Sequence, residues 1–329
     1  MKLSYIAFAP LQGYTDRVYR RAHWQCAGGV DEYYTPFVRL EGGTPREKDL
    51  RDIDPERNAG LPTVPQVIAR DAEEFARLCD AVQALGWRRI DLNMGCPFPM
   101  QVKVGRGCGL MQHPDRVEQI AQEMLRRPEV SFSVKMRLGQ EYTQEGLALL
   151  SIINTMPLVH VTLHPRLGRQ QYKGLVDRDA FLQFFHGCRH PMIYNGDITE
   201  SDGYGLHPYV VNGELVVEGL LDEANSSKLK GVMIGRGLLA RPWMLTDKQP
   251  TAVLTAMHAE LYRHATQNLC GDSQILARLH AFWEYMDNHL DKKSYKGIMK
   301  STTLSRYNEA VRAALTASTE QRLASSTTK

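Results

Sequence analysis

The sequence has few of the features that mark secreted, membrane or metal-binding proteins. Its six cysteines in 329 residues include no C-x-x-C pair, so neither a disulfide framework nor a cysteine zinc site is indicated. No stretch approaches the roughly 20 apolar residues of a membrane span, and the short apolar start lacks the core of a signal peptide. We therefore expect a cytoplasmic protein that binds neither a membrane nor a metal, with a monomer as the working expectation.

Excess charge is also scarce and is confined to one part of the chain. The formal net charge is +3 at pH 7, and residues 246–329 hold 11 basic against 8 acidic residues, which accounts for all of it. A surplus of this size is weak support for a polyanionic partner. The densest basic cluster consists of Lys292, Lys293, Lys296 and Lys300.

Residues 1–245 alternate short β-rich segments with amphipathic helical segments. The predicted strands are Tyr5–Phe8, Glu32–Tyr34, Val64–Ile68, Arg89–Leu92, Ser131–Met136, Val159–Leu163, Met192–Tyr194 and Gly231–Ile234. No G-x-G-x-x-G turn follows the first of them, which disfavours a doubly wound dinucleotide fold. Eight strands with interleaved helices predict an α/β fold, a (β/α)8 TIM barrel, over residues 1–245.

The rest of the chain departs from this alternation in three places. Gly42–Pro65 is charged and contains four prolines, so we predict a long loop there. Asn212-Gly213 between two β-forming runs predicts a hairpin inserted within Ser201–Gly219. Residues 246–329 predict a small all-helical domain, with helices at Ala252–Leu269, Ser273–His289, Tyr295–Tyr307 and Glu309–Ala317.

Polar or glycine-rich motifs follow five consecutive predicted strands. They are Asn93-Met94-Gly95-Cys96-Pro97, Lys135-Met136-Arg137, His164-Pro165-Arg166, Asn195-Gly196-Asp197 and Gly235-Arg236-Gly237. Active sites of TIM barrels lie at the carboxyl ends of the strands, so these motifs predict a polar pocket there. The last two are typical of a phosphate site, where glycines let backbone N–H groups approach an anion.

Two of these side chains suggest a redox reaction, because one can bind an anionic cofactor and the other can donate a proton. Lys135 ends an apolar strand, where a buried ammonium group needs an anionic partner. A reduced flavin ring is such a partner, because it carries negative charge near N1 and O2. Cys96 lies in a loop between Gly95 and Pro97, and a thiol with a pKa near 8.5 stays protonated at neutral pH and can donate that proton.

With these motifs, the chain resembles the tRNA-dihydrouridine synthases, which are flavin-dependent barrels with a C-terminal helical domain. The resemblance rests on Ala9–Gly13, Asp91–Pro97, Val134–Gly139, Asn195–Asp197 and Val232–Gly237, which occur in the family's order across nearly the whole barrel. Residues 246–329 share with the family only their helical character and no motif.

The resemblance implies a cofactor, a reductant and a reaction. FMN would be bound and NADPH would reduce it, a hydride would pass from flavin N5 to uracil C6, and Cys96 would protonate C5. The cofactor-binding residues would be Pro10, Leu11, Gln66, Lys135, His164, Asn195, Gly196, Asp197, Gly235 and Arg236. Asn93, Arg137 and Arg166 would hold a uracil flipped out of tRNA, and the four lysines of the basic cluster would bind the RNA backbone.

Several positions differ from the family's usual pattern. Leu11-Gln12 stands where Met-Glu or Met-Ala is common, and His164–Leu167 reads His-Pro-Arg-Leu where His-Gly-Arg-Thr is usual. Cys108, within Gly105–Gly109, is a second thiol and a lesser candidate for the acid.

Two alternative functions remain open. A flavin barrel of the dihydroorotate dehydrogenase type also carries an N-x-x-C-P motif but acts on a free pyrimidine, for which a basic helical domain has no use. A non-catalytic RNA-binding barrel would not need Asn93, Cys96, Lys135 and His164 together. A yellow purified protein would favour either enzyme, and a colourless one would favour the non-catalytic protein.

Overall fold

The computed structural model describes residues 2–3, 5–198, 208–211, 214–217 and 229–326. The strands are β1 Lys2–Leu3, β2 Ile6–Phe8, β3 Glu32–Tyr34, β4 Leu40–Glu41, β5 Thr44–Pro45, β6 Thr63–Val64, β7 Gln66–Val67, β8 Arg89–Met94, β9 Ser131–Gly139, β10 Leu158–Leu167, β11 Met192–Asn195, β12 Pro208–Val211, β13 Glu214–Val217 and β14 Leu229–Ile234. The helices are α1 Arg17–Cys26, α2 Glu47–Asp52, α3 Ala72–Ala84, α4 Pro99–Val102, α5 Pro114–Leu125, α6 Thr143–Ala148, α7 Leu150–Ile153, α8 Arg178–Gly187, α9 Arg236–Ala240, α10 Pro250–Asn268, α11 Asp272–Trp283, α12 Lys292–Met299 and α13 Leu304–Ser326. Two 3₁₀ turns cover Gly107–Gln112 and Gly168–Gln170.

A closed parallel barrel is built from eight strand segments. Nine short strands are hydrogen-bonded in the order β6-β3-β2-β14-β11-β10-β9-β8-β7, and all their pairings are parallel. β6 and β7 are two parts of one segment that Pro65 interrupts, because proline has no N–H to add to the ladder. The Pro65 carbonyl still accepts a hydrogen bond from the N–H of Asp91 at 2.9 Å. The TIM barrel and its eight predicted strands are therefore confirmed.

Local signals begin the helices that follow the strands. The carboxylate of Asp71 caps α3 by accepting the N–H of Glu74, and Asp177 caps α8 by accepting the N–H of Ala180 at 2.9 Å. Pro114 opens α5, where its missing N–H costs nothing. A layer of the barrel interior is filled by Ala7, Ala9, Tyr34, Val64, Ile193 and Met233.

The predicted loop at 42–65 is wrong for much of its length. It contains β5, which pairs antiparallel with β4 just before it, together with the helix α2 and the barrel strand β6. Gly42 and Gly43 both have positive φ angles, of 60° and 83°, which is the backbone of a two-residue hairpin turn. The prolines were misleading because they stand at the ends of these short elements.

The strands of the predicted hairpin are observed as β12 and β13, and β13 pairs antiparallel with β1. Its turn, Asn212-Gly213, lies outside the described residues, as do most of the other residues of Ser201–Gly219.

By its internal contacts the chain forms two units. One comprises residues 1–17, 30–208 and 214–235, and the other comprises residues 18–29, 209–213 and 236–329. In the second unit, the hydroxyl of Tyr307 accepts the indole N–H of Trp283 at 2.8 Å and lies 2.9 Å from Nε2 of His258. All three helices α10, α11 and α13 therefore meet at one buried polar junction.

Several helix boundaries in this unit were predicted wrongly. The predicted helix Ser273–His289 ends at Trp283, and α13 runs through the predicted break between Tyr307 and Glu309. The predicted helix Tyr295–Tyr307 is divided, since α12 ends at Met299 and α13 begins at Leu304. The N–H of Leu304 is bound by the Asp272 carboxylate at 3.0 Å, which caps the start of α13. Within the described residues, no helix is long and apolar enough to cross a membrane.

Candidate active site

The register of the barrel brings the predicted site residues together. Asn93 on β8 pairs with Lys135 on β9, and Arg137 on β9 pairs with His164 on β10. Gln66 pairs with Asp91 one strand away. Because these strands are parallel, their carboxyl ends meet on one face, as the five motifs predicted.

Asn93 organises the loop that carries the candidate acid. Its side-chain oxygen accepts the N–H of Gly95 at 3.0 Å and the N–H of Cys96 at 2.8 Å. Its amide nitrogen donates to the side-chain oxygen of Gln66 at 2.7 Å. Since Asn93 and Gln66 are both buried, this network fixes where the chain turns out of β8.

A buried carboxyl group lies beneath this network. Asp91 accepts the amide N–H of Gln66 at 2.7 Å and the hydroxyl of Ser133 at 2.6 Å. Burial raises the pKa of Asp91 to about 6, although both hydrogen bonds and the charge of Lys135 favour the carboxylate. Asp91 thereby fixes the direction of the Gln66 amide, which in turn orients Asn93.

Cys96 is a partly buried thiol held by close backbone packing. A Cβ on Gly107 would lie 2.5 Å from the Cys96 carbonyl oxygen, and that oxygen accepts the N–H of Cys108 at 3.1 Å. Burial raises the pKa of the Cys96 thiol, while the charges of Arg137 and Lys135 lower it. The thiol is thus protonated at neutral pH, with two cations that favour its thiolate once the proton leaves.

Cys108 is less suited to the role of the acid. Its side chain is fully buried, and burial raises its pKa to about 12. A thiol without solvent contact has no route to a substrate in the barrel mouth.

Lys135 is a cation whose acidic neighbour, Asp91, is already hydrogen-bonded to Gln66 and Ser133. Its side chain is partly exposed, and it makes no salt bridge or hydrogen bond within the described part of the chain. Burial lowers its pKa to about 8, as does Arg137, whereas Asp91 opposes the shift. A cation poised in this way is suited to an anionic group bound at the mouth.

Arg137 and Arg166 are both anchored to the protein itself. Arg137 donates to the carbonyls of Gly95 (3.1 Å), Leu167 (2.9 Å) and Gln171 (2.6 Å), and its guanidinium lies over the ring of Tyr172. It therefore ties the Cys96 loop to the turn after β10.

Arg166 forms a two-pronged salt bridge with Asp197, with one nitrogen 2.8 Å from the carboxylate. The same nitrogen lies 3.1 Å from Nε2 of His164, and the guanidinium also donates to the Gly174 carbonyl. Asp197 adopts a left-handed φ of 45°, which is uncommon for a residue with a side chain. The salt bridge compensates this strain and sets the orientation of His164.

The glycine-rich ends of β11 and β14 pack closely against their neighbours, with Gly196 buried and Gly235 partly exposed. At Gly196, φ is +148° and a Cβ would lie 3.2 Å from the His164 ring and 3.0 Å from Val176. Asn195 is buried and donates to the Met233 carbonyl at 2.8 Å, which joins β11 to β14. At Gly235, a Cβ would contact Ala9 at 3.4 Å.

The remaining predicted residues lie in three places. Pro10 and Leu11 follow β2, where the N–H of Leu11 is bound by the Thr15 hydroxyl at 2.8 Å. Arg236 is the first residue of α9. The basic cluster is exposed on α12 and at its end, with members four residues apart on one helix face: Lys292, Lys296 and Lys300, and Lys293 beside them.

Asp91, Gly107 and Tyr172 were not predicted from the sequence. Asp91 could have been found, because it lies two residues before Asn93 in a strand and so shares its face. Gly107 and Tyr172 gave no local signal, since their partners lie 11 and 35 residues away in the chain. No group of three or more metal-ligating side chains occurs among the described residues.

The fold and the site can now be compared with known proteins. A family model described as dihydrouridine synthase matches residues 7–327. A probable tRNA-dihydrouridine synthase of Rhodobacter capsulatus is 28% identical over 245 residues, covering 74% of this chain and 70% of that protein. tRNA-dihydrouridine synthase B of Escherichia coli K12 is 25% identical over 306 residues, covering 88% of each chain. On the extent of the family match, the chain belongs to the dihydrouridine synthase family.

Proposed function

We propose that this protein reduces the C5–C6 double bond of a uridine in tRNA, giving 5,6-dihydrouridine, with FMN as bound cofactor and NADPH as reductant. We further propose that it acts in the cytoplasm as a monomer. The observation that carries the proposal is the position of the Cys96 loop, whose backbone Asn93 holds at the barrel mouth while Asn93 itself pairs with Lys135 on the next strand. Membership of the family and the names of its relatives support the substrate.

The residues at the mouth fit a flavin. Lys135 forms no salt bridge with a described residue, since Asp91 acts on it only through its charge. An ammonium group there complements the pyrimidine edge of the flavin. His164 would line the ring, and the backbone at Asn195, Gly196 and Gly235 would bind the phosphate. Gln66 was predicted to line the ring as well, but its side chain is fully buried and engaged by Asp91 and Asn93. When bound, FMN would supply the hydride that reaches C6 of the uracil. Pro10, Leu11 and Asp197 as cofactor contacts, and Arg236 as a phosphate ligand, stay predictions.

Cys96 would supply the proton in this reaction. Its S–H bond breaks as a C–H bond forms at C5 of the uracil, and the thiolate remains on the enzyme. Lys135 and Arg137 stabilise that thiolate, because their charges lower the pKa of Cys96. The anchoring of the Cys96 loop by Asn93 keeps the sulfur at a constant position during the transfer.

The uracil would be held by groups that are already oriented. One N–H of the Asn93 amide is donated to Gln66, and the amide has a second hydrogen for a uracil carbonyl. Arg137 and Arg166 would add positive charge at the polar edge of the base. The exposed Lys292, Lys293, Lys296 and Lys300 would bind phosphates of the tRNA.

Nucleoside mass spectrometry tests the proposed reaction. Unmodified tRNA is incubated with the purified protein, FMN and NADPH, and the expected product is a uridine that has gained two hydrogens. A yellow protein that oxidises NADPH without this product would favour an enzyme acting on a free pyrimidine. A colourless protein that binds tRNA but forms no product would favour a non-catalytic RNA-binding barrel.

A matched pair of cysteine variants tests the acid. Cys96→Ala should keep the yellow cofactor and lose turnover by about 100-fold or more, because a general acid contributes about that much. Cys108→Ala removes the neighbouring, fully buried thiol and should retain turnover. Equal turnover of the Cys96 variant and the wild type would remove Cys96 from the mechanism.

A further inference from the structure

The segment that follows Cys96 exposes unusually large apolar side chains. Phe98 is 55% exposed, Met100 is 71% exposed and Val104 is 44% exposed, all within seven residues. Single exposed apolar residues are ordinary, but a cluster on one loop indicates an interaction surface. We call residues 98–104, which include the short helix α4, the Phe98 loop. Phe98 is two residues from Cys96, so the two lie within about 7 Å along the chain.

A polar cavity lies directly beside this loop. Its volume is about 820 Å³, and its lining includes Lys103 and Val104 from the loop together with Arg70, His113 and Arg116. The first turns of two helices, α3 and α5, also contribute to the lining through Asp71 and Asp115. Three basic side chains, Arg70, Lys103 and Arg116, therefore face two carboxylates in the lining, and the partial positive charge of the helix N-termini adds to the cationic excess.

The cavity has cationic groups that the protein leaves uncompensated. Asp71 caps α3 and lies 3.2 Å from the guanidinium of Arg70, so its charge is already engaged. The side chains of Lys103 and Arg116 form no salt bridge or hydrogen bond with any residue that the structure describes. The guanidinium of Arg116 lies against Gly105, another lining residue, since a Cβ on that glycine would lie 3.0 Å from its Nη1. These groups fit an anion such as a phosphodiester.

We infer that the Phe98 loop and this cavity together bind the single-stranded RNA next to the reduced uridine, with an unstacked base on Phe98 and Met100 and a phosphate in the cavity. Apolar and aromatic side chains beside a basic groove are the combination that binds single-stranded nucleic acid, because every base offers a face for stacking. An apolar protein partner would not need the two uncompensated cations. The inference rests on the proposed function, because it presumes an RNA substrate.

The surface also bears on the choice between substrates. A free pyrimidine that reached Cys96 would have no part left to contact Phe98 or the cavity, whereas a flipped-out nucleotide stays joined to neighbours on both sides. The Phe98 loop therefore favours a polymer over a free base.

The helix α5 supplies matched variants for the test. Arg116 lies in its first turn, whereas Leu125 and Arg126 lie at its other end, about 15 Å away. Leu125 is 49% exposed, so Leu125→Ala is the control for the pair Phe98→Ala and Met100→Ala. Arg126 is exposed as well, so Arg126→Gln is the control for Arg116→Gln.

The measurement is the Kd of the full chain for an unmodified tRNA transcript, by fluorescence anisotropy over a series of KCl concentrations. Phe98→Ala with Met100→Ala should weaken binding about tenfold. Arg116→Gln should weaken it and lower the slope of log Kd against log salt by about 0.7, the value for one contact to a single strand. Both controls should stay within about twofold of the wild type. All variants should keep the melting temperature, because the altered side chains are exposed except that of Arg116, which is partly exposed and forms no side-chain hydrogen bond or salt bridge with a described residue.

The outcomes separate this inference from the proposed function. If the wild type reduces uridine in tRNA but the loop and cavity variants bind as tightly as their controls, the inference is overturned and the proposed function stands. In that case a protein partner becomes the better explanation of the exposed loop. If the wild type neither binds nor reduces tRNA, the proposed function fails and this inference fails with it.

Discussion

Replacing Asn93 by alanine should release the loop that carries Cys96. The Asn93 side-chain oxygen holds the N–H groups of Gly95 and Cys96, and its amide holds the buried oxygen of Gln66. Alanine removes all three hydrogen bonds and leaves the Gln66 oxygen without a partner in a buried site. The barrel strands themselves are unaffected, because no bond between their backbones is lost.

The structure sets the size of the effect. Two hydrogen bonds to the loop are worth about 1 kcal/mol each, and an unsatisfied buried oxygen costs about a further 1–3 kcal/mol. The free energy of unfolding should therefore fall by about 3–5 kcal/mol, and the melting temperature by several degrees. The two loop bonds alone would increase local opening at Cys96 by at most about 30-fold, at 1.4 kcal/mol for each factor of ten.

The assay is the rate at which iodoacetamide alkylates Cys96, followed by peptide mass spectrometry, together with the melting temperature by circular dichroism. Asn154→Ala is the matched control. Asn154 also uses its side chain on backbone groups, with its oxygen 2.8 Å from the N–H of Arg189 and its amide 3.0 Å from the Gly187 carbonyl. It lies far from Cys96 in the barrel, so its loss should lower stability slightly and leave Cys96 alkylation unchanged.

Two results would refute this reasoning. If Asn93→Ala alkylated at Cys96 no faster than Asn154→Ala, the asparagine would not restrain the loop. If alkylation rose but dihydrouridine formation kept its wild-type rate, a fixed position of the thiol would not matter for the reaction.

Three further predictions concern the loop, the cation and the second unit. Gly107→Ala should lower the melting temperature more than Gly86→Ala. Both glycines have a positive φ, but only at Gly107 would the added Cβ lie 2.5 Å from a backbone atom, the carbonyl oxygen of Cys96. Equal shifts in melting temperature would contradict this. Turnover should decline as the pH rises through about 8, where Lys135 loses its charge, and in Lys135→Arg the decline should begin at a higher pH. A pH–rate profile that is the same for both proteins would exclude a role for the charge of Lys135 in turnover. Tyr307→Phe should cost about 2–4 kcal/mol by leaving the Trp283 N–H unsatisfied, as thermal unfolding would measure, and a neutral result would mean that the junction is dispensable.

The pH dependence of stability has the opposite sign to that of turnover. The pKa of Lys135 in the folded protein is about 8, below the usual 10.5. Between these two values the unfolded chain binds more protons than the folded one, so this group makes the protein more stable as the pH rises. If activity is lost above pH 8, deprotonation of Lys135 would therefore not have caused it by destabilising the fold.

The sequence predicted those features that depend on residues close together in the chain. All eight barrel strands follow from short apolar runs, and the five motifs follow directly from the ends of strands. Where local signals conflicted, the prediction failed. Prolines within 42–65 concealed the strands β5 and β6 and the helix α2. A helical pattern across 295–307 concealed the break before α13, whose first N–H is bound by the distant Asp272.

The sequence by itself determined that the chain forms a parallel barrel with polar residues at its carboxyl ends, because periodicity and strand polarity require both. Only the tertiary structure decided how those residues are used. Arg137 is anchored on carbonyls of Gly95, Leu167 and Gln171, and Arg166 is paired with Asp197, so charges that looked available for substrate are partly engaged by the protein. Hydrogen bonds, burial and pKa values depend on atoms that the fold brings together from distant parts of the chain, and a linear pattern does not contain those distances.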